Sequence, residues 1–391
     1  MIDFLSEAED LFEYTQSRRR DFHRHPELGF QEVRTAGIVA QELNQLGLEV
    51  STGVAKTGVV ALLEGSRPGP VVLARFDMDA LPITEETGAA YASQNSGVMH
   101  ACGHDGHTAI GLTVARLLDA HKDELPGTVK FVFQPAEEGL GGGDGMVAAG
   151  VMENPRPDFT LALHLWNEKP VGWLGITSGP AMAASETFRV VLTGRGGHGA
   201  APHLTIDPVL AAAQVVTALQ SIVSRNVPPL KSAVISVTSL HGGQAFNVIP
   251  STAELQGTIR TYEPEIRQLV LKRFRQLVEG VAGSFGCETE IELKKVTPAV
   301  INDPEITDRV RAVAGRLLPE DFIDTGERTM GSEDMAYMME EVPGCYFFVG
   351  SSNAEKGLNA AHHHPKFDFD ETALPKAAGL MASAIASFLQ A

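Results

Sequence analysis

Hydrophobic positions change their period twice along this chain. In the first part, short and nearly continuous apolar runs alternate with stretches of helical period. Gly58–Leu63 and Pro70–Phe76 read as strands, the second so apolar that it predicts a central place in a sheet. Thr128–Phe133 and Phe159–Leu163 read the same way. A helical stretch covers 28–47 and stops at Gly47. Another runs from a cap at Asp105 or Thr108 through Ala120, with Ile110, Leu112, Val114, Leu117 and Leu118 on its buried face. Strands alternating with helices predict an α/β domain whose mostly parallel sheet is covered on both faces.

From about residue 185 the grammar becomes that of half-buried strands. Glu186–Thr193, Ala233–Leu240, Thr252–Thr261 and Glu288–Lys295 are strands, with helices at Asp207–Ser224 and Glu265–Gly283. The order β-α-β-β-α-β is the split plan of a small open-faced α+β sandwich. After Pro298 the first pattern resumes, with a helix near 304–317, an apolar strand Cys345–Gly350 and a terminal helix. The chain thus predicts a discontinuous first domain, 1–183 and 297–391, with 184–296 inserted into it. Gly139–Gly145 reads as a flexible loop, because it lacks the lysine and spacing of a phosphate cradle.

Composition narrows the partners. With 43% hydrophobic and 20% charged residues in 391, the chain has the makings of folded domains. A formal charge of −18 opposes nucleic acid and anionic membranes as partners. The acidic start MIDFLSEAEDLFEY lacks the basic flank and apolar core of a leader, and no run approaches the ~20 apolar residues of a membrane span. Three cysteines, far apart and odd in number, fit a reducing cytoplasm better than a disulfide framework; Cys287 and Cys345 lie in apolar stretches and read as packing residues.

The chemistry collects where parallel sheets gather ligands, beyond the carboxyl ends of strands. Strand 70–76 runs into Asp77-Met78-Asp79, strand 128–133 into Glu137-Glu138, strand 159–163 into His164, and strand 345–350 precedes His362-His363-His364. The segment MHACGHDGH, residues 99–107, adds a thiol, three imidazoles and a carboxylate. Such groups are costly to bury unless something satisfies them. Cys102 and His104, one residue apart, suit zinc or a neighbouring first-row ion. The ordinary reading of Glu137-Glu138 is a pair of solvated carboxylates, and that of His164 a hydrogen-bonded core histidine. Their common placement favours a cation, with one carboxylate as ligand and its neighbour as general base toward water, the chemistry of amide or ester hydrolysis. His100 and His107 read as supporting or capping groups. His23, His121, His203 and His241 carry no assigned role, and His25 could line the cleft.

Taken together, DMDALPI, MHACGHDGH, PAEEG, LALHLW, GRGGHGAAPH, GSEDMA and HHPKFDFD closely resemble the amidohydrolase branch of the M20 metallopeptidase family, which includes hippurate hydrolases, N-acyl-amino-acid amidohydrolases and hydrolases of auxin–amino-acid conjugates. The resemblance spans nearly the whole chain, from Arg24 to Phe369. It implies a zinc-peptidase-like catalytic domain with an inserted ferredoxin-like lid that forms a homodimer or higher homo-oligomer. It implies two divalent metal ions per subunit, zinc or else manganese, cobalt or nickel, held by Cys102, His104, Glu138, His164 and the histidine two before the proline, His363. His362 and His364 flank that register and stay open to the role. By the same resemblance Glu137 is the general base and Asp79 supports the metal site. His198 binds the substrate carbonyl, and Asn247 and Arg260 contact the substrate, Arg260 through its carboxylate. The wider family carries histidine where this chain has Asp77, and aspartate where it has Cys102. The implied activity is hydrolysis of N-acyl-L-amino acids, hippurate-like or N-acetylated, to a carboxylic acid and a free amino acid. A cysteine hydrolase using Cys102 and a non-catalytic binder are the rival readings.

Overall fold

Strands that are apolar on both faces must lie between two layers of other elements, and the most apolar ones here do. The structure, a computed structural model describing residues 2–319 and 322–390, contains two units. The first comprises Met1–Ala181, Val300–Arg328 and Asp334–Ala391. Its strands include β1 (Glu49–Val54), β2 (Gly58–Glu64), β3 (Val71–Asp77), β4 (Thr128–Gln134) and β5 (Phe159–Pro170). The sheet runs β1-β2-β4-β3-β5, then Gly344–Ser352, Leu174–Gly175 and Ile323–Asp324. The central strands β4, β3, β5 and Gly344–Ser352 are parallel, while β1 and β2 form an antiparallel hairpin that joins β4. β1 is missing from the apolar pattern because its residues are mostly exposed.

Helices of this unit are α1 (Phe4–Asp10), α2 (Phe12–Arg24), α3 (Val33–Gln45), α4 (His104–Ala120) and α5 (Gly142–Ala148), with Pro304–Leu317, Ala336–Glu341 and Ala373–Leu389 following later. Two expectations need correction. The helical period over 28–47 overruns at its start: α3 begins at Val33, because Phe30 takes a left-handed φ of 63° and Glu32 turns its carboxylate elsewhere. Helix α4 is capped by neither Asp105 nor Thr108. It starts at His104 after Gly103, whose φ of 94° turns the chain out of Cys102 and favours a residue without Cβ. Asp105 spends its carboxylate on Arg19 and His23, and the Thr108 hydroxyl donates to the Asp77 and His104 carbonyls.

The second unit comprises Met182–Ala299 and Thr329–Glu333. Its antiparallel sheet has the order Ala233–Gly242, Thr252–Thr261, Ala184–Thr193, Glu288–Thr297, which is the split β-α-β-β-α-β arrangement. Pro208–Ser221 starts behind Asp207, whose Oδ1 accepts the Val209 and Leu210 amides. Helix Pro264–Ser284 buries Ile266, Val270, Phe274, Val278 and Ala282, one per turn, against Phe188, Val190 and Leu192 of the sheet. Thr329–Glu333 joins this unit through the Ala183 amide, which donates to Gly331, and through Arg260, whose Nη1 donates to Ser332 Oγ at 2.6 Å.

In the first unit a buried arginine ties distant segments together. Arg19 Nε donates to Asp105 at 2.8 Å, Nη2 to Asp368 at 2.7 Å and Nη1 to Glu371 at 3.2 Å, with the guanidinium over the Phe369 ring. Removing one partner of such a network leaves uncompensated charge inside the protein. Arg19→Met is expected to cost about 3–5 kcal/mol in equilibrium urea unfolding, with Arg19→Lys recovering only part for want of the planar fork. A loss below ~1 kcal/mol for the methionine variant would show that these carboxylates tolerate its absence.

Candidate metal centre

The carboxyl ends of β3 and β4 lie side by side, Asp77 in register with Gln134. The chain leaves β3 into Asp79 and β4 into Glu137-Glu138, while His164 sits within β5 opposite Phe348. The Cys102–His104 segment enters from the start of α4. Among the described residues five groups of potential ligand atoms lie within 4.8 Å: Cys102, His104 and His164; Cys102, Glu138 and His363; His104, Glu137 and Glu138; Asp77, His104 and His107; and Glu137, Glu333 and Asp334.

Hydrogen bonds fix which ring nitrogens face this cluster. His164 Nδ1 donates to the Leu165 carbonyl at 2.7 Å, leaving the Nε2 lone pair 3.5 Å from Cys102 Sγ. His104 Nδ1 donates to the Asp79 carbonyl at 3.0 Å and to Asp79 Oδ1 at 3.2 Å. His104 Nε2 is buried and makes no hydrogen bond. A second-nitrogen hydrogen bond of this kind is how ligating histidines are oriented. Asp79 also accepts the Glu138 amide on Oδ2 at 3.0 Å, so one buried carboxylate aligns both His104 and Glu138.

The electrostatics are those of a site rich in carboxylates. Burial acts to lower His104, yet the charges of Asp77, Asp79 and Glu138 and the Asp79 hydrogen bond push it up to about 10. Burial, followed by the charges of Glu138, Glu137 and Asp77, raises the Cys102 thiol well above its ordinary range. Burial holds His164 well below its usual value, with the neighbouring histidines adding to the effect. The donor set of two imidazoles, a thiol and carboxylates, with an orphaned nitrogen at its centre, fits zinc, manganese, cobalt or nickel.

The three C-terminal histidines separate clearly. His363, at φ 63°, places Nε2 3.1 Å from Glu138 Oε1 and donates its backbone N–H to Ala101. His362 turns inward between the Trp166 and Phe367 rings, and its Nε2 accepts the Asn167 amide at 3.2 Å. His364 is exposed and accepts the Lys366 amide. Only His363 of the three joins the ligand groups found among the described residues.

The other polar residues around the cluster take distinct places. His107 Nδ1 donates to Asp77 at 2.6 Å and its Nε2 accepts the Leu165 amide, so both nitrogens are committed, consistent with a supporting place. Asp77 also receives Arg75 Nη1 at 2.7 Å. His23, which the sequence leaves without a role, is buried and bonds Asp105 and Glu85. His100 caps nothing: both its ring nitrogens are buried without hydrogen bonds, and burial lowers it to about 4. His25 bonds the Asp21 carbonyl on its own helix. Cys287 and Cys345 are buried thiols.

His198, Asn247 and Arg260 belong to the second unit. His198 is exposed on a two-residue strand paired with Val248, and its Nδ1 accepts the Ala200 amide at 3.0 Å. Asn247 is exposed beside it in sequence, and its carbonyl accepts the Gly199 amide. Arg260 is half-buried on its strand, which lowers its pKa through desolvation.

Known proteins resemble this chain over nearly its whole length. The chain is 42% identical to an N-acetyldiaminopimelate deacetylase of Priestia megaterium over 366 residues, covering 93% of this chain and 95% of the other. It is 39% identical to an IAA-amino acid hydrolase of Arabidopsis thaliana over 390 residues, covering 98% of this chain and 88% of the other. A crystal structure of a dinuclear metal-binding peptidase from Bacillus subtilis superimposes with a TM-score of 0.86 at 36% identity, covering 98% of this chain and 99% of that one. Residues 73–387 match Peptidase family M20/M25/M40, and the chain belongs to that family.

Proposed function

We propose that this chain hydrolyses the amide bond of N-acyl-L-amino acids, hippurate-like or N-acetylated, releasing a carboxylic acid and a free amino acid. The observation that carries this reading is the pair of imidazoles, His104 and His164, each with Nδ1 engaged and Nε2 turned toward the Cys102 thiol, beside the Glu137-Glu138 turn. Cys102, His104, Glu138, His164 and His363 would hold two divalent ions. Cys102 belongs to two of the groups, with His104 and His164 in one and Glu138 and His363 in the other, which supports its place among the ligands. When bound, such a pair polarises a carbonyl and acidifies water.

The residues of the chain supply the rest. Glu137, adjacent to the ligand Glu138 but not needed as a ligand itself, takes the proton of the attacking water as its oxygen bonds to the amide carbon. It then returns that proton to the leaving nitrogen as the C–N bond breaks. Asp79 keeps His104 in the tautomer that presents Nε2. By family pattern His198 stabilises the developing oxyanion, and Asn247 and Arg260 bind the amino-acid portion, Arg260 its carboxylate. The relatives' names support N-acyl-amino acids as the class: one acts on an acetylated diamino acid, the other on an IAA–amino acid conjugate. The surroundings of Cys102 disfavour a nucleophilic cysteine, because burial, together with three neighbouring carboxylates, suppresses the thiolate that such chemistry needs.

Hydrolysis of acetyl-, benzoyl- and indoleacetyl-amino acids is expected to vanish on chelation and return with zinc or manganese; turnover that survives complete metal removal would overturn the reading. Glu137→Gln should retain metal by elemental analysis and lose about 10²–10⁴ in kcat, and near-normal turnover would remove Glu137 from the mechanism. His363→Ala should weaken metal binding by about 10-fold or more while His364→Ala leaves it unchanged; equal behaviour of the two would reject His363 as the ligand.

A further inference from the structure

The turn that carries Glu137 and Glu138 is gripped along its backbone by three buried carboxylates. Glu32 Oε1 accepts the Ala136 amide at 2.9 Å, Asp79 Oδ2 the Glu138 amide at 3.0 Å, and Asp334 Oδ2 the Gly143 amide at 2.7 Å. Asp79 is part of the site already described; Glu32 and Asp334 are not. We propose that Glu32 and Asp334 are positioning residues that hold the two ends of the 136–143 turn and so aim Glu137 and Glu138. The inference rests on the reading of that pair as base and ligand.

At the first end, Ala136 takes a φ of 55°. A left-handed alanine costs roughly 1–2 kcal/mol and persists only where its surroundings over-determine it. Glu32 is wholly buried and provides that determination. Its second oxygen accepts the Thr57 hydroxyl at 2.5 Å, which fixes the carboxylate from behind. A carboxylate accepting an amide is among the stronger neutral–charged hydrogen bonds, and here it lands on the residue whose torsion sets the direction of Glu137.

At the other end, Asp334 is bound to the strands from which the turn emerges. Its Oδ1 accepts Gln134 Nε2 at 2.5 Å and Arg75 Nη2 at 3.2 Å. Arg75 in turn donates Nε to Gln134 Oε1 at 2.9 Å and Nη1 to Asp77 at 2.7 Å. The position of Asp334 is therefore set by the ends of β3 and β4, and the turn inherits it. Close approach explains the glycine: a Cβ on Gly143 would lie 2.4 Å from the Asp334 carbonyl oxygen and 2.9 Å from its Cγ. Gly142 and Gly143 are closely fitted, and α5 starts at the first of them.

The test compares full-length Glu32→Ala, Glu32→Gln and Gly143→Ala with wild type, stripped of metal and titrated with Co²⁺ by calorimetry. Thermal melts establish that each is folded at the assay temperature. Gly143→Ala stands in for Asp334→Ala, which would also take away a hydrogen-bond partner of both Arg75 and Gln134. Glu32→Ala and Gly143→Ala are expected to lose about 10- to 100-fold in Co²⁺ affinity and to lower kcat with KM unchanged. Glu32→Gln, whose amide oxygen still accepts the Ala136 N–H, should recover most of the affinity. Folded Glu32→Ala and Gly143→Ala with wild-type Co²⁺ affinity and kcat would overturn the proposal and leave the two carboxylates as scaffold. If wild type binds Co²⁺ but cleaves no N-acyl-amino acid, the functional reading fails and the affinity arm still judges the clamp. If wild type binds no Co²⁺, both fall.

Discussion

Negative charge gathered at the ends of β3 and β4 is the constraint on which the rest of the first unit depends. Asp77, Asp79, Glu32 and Asp334 are all buried there, beside Glu137 and Glu138. Desolvated carboxylates are tolerable only when charge and hydrogen bonds reach them. Arg75 serves Asp77 and Asp334, His107 serves Asp77, and backbone amides serve Glu32, Asp79 and Asp334. Glu138 differs. Its Oε1 is buried without a well-formed hydrogen bond, with His363 Nε2 nearby at 3.1 Å. The carboxylates that hold the scaffold are saturated, and the one turned toward the thiol and imidazoles is not.

The histidines divide by the same logic. His107 commits both nitrogens and braces Asp77 and the Leu165 amide. His362 lends one nitrogen to the Asn167 amide and its ring faces to aromatic neighbours. His104 and His164 each commit Nδ1 to an acceptor that dictates the tautomer; His104 Nε2 is left without a hydrogen bond, and His164 Nε2 faces only the Cys102 thiol. One residue type thus occupies bracing and ligand-like places within a few residues of sequence, and the hydrogen bond on the remote nitrogen decides between them.

What was legible in the sequence follows from locality. Cys102, His104, Glu137, Glu138 and His164 lie on or beside strand ends and a helix start, so period and spacing alone bring them to one edge of the sheet. The second unit was legible because its strands and helices alternate with clean periods. The choice among His362, His363 and His364 was not legible from spacing, since it hangs on the left-handed torsion of a non-glycine residue. Glu32 and Asp334 were invisible for another reason. Each lies far in sequence from the turn it holds, Asp334 within the GSEDMA segment, and the backbone amide each accepts from that turn leaves no mark in side-chain identity. At Gly142 and Gly143 the glycines answer a close approach of backbone, which the sequence does not distinguish from flexibility because both select the same residue.

These two kinds of information bear on different parts of the chemistry. Residue types at strand ends decide which donors are present, and so which ions and reactions are open to the fold. Backbone anchoring decides how accurately those donors are aimed, and a ligand displaced by even ~1 Å can cost a large factor in rate. Ala136 and His363 both hold positive φ, and each adjoins or is a residue of the ligand groups. Strain at both sides of the cluster is stable only because buried acceptors, Glu32 for Ala136 and the Ala101 carbonyl for His363, take the amide that each torsion presents. The arrangement of the donors is therefore held by hydrogen bonds within the chain itself, and such preorganisation lowers the cost of assembling a site on binding.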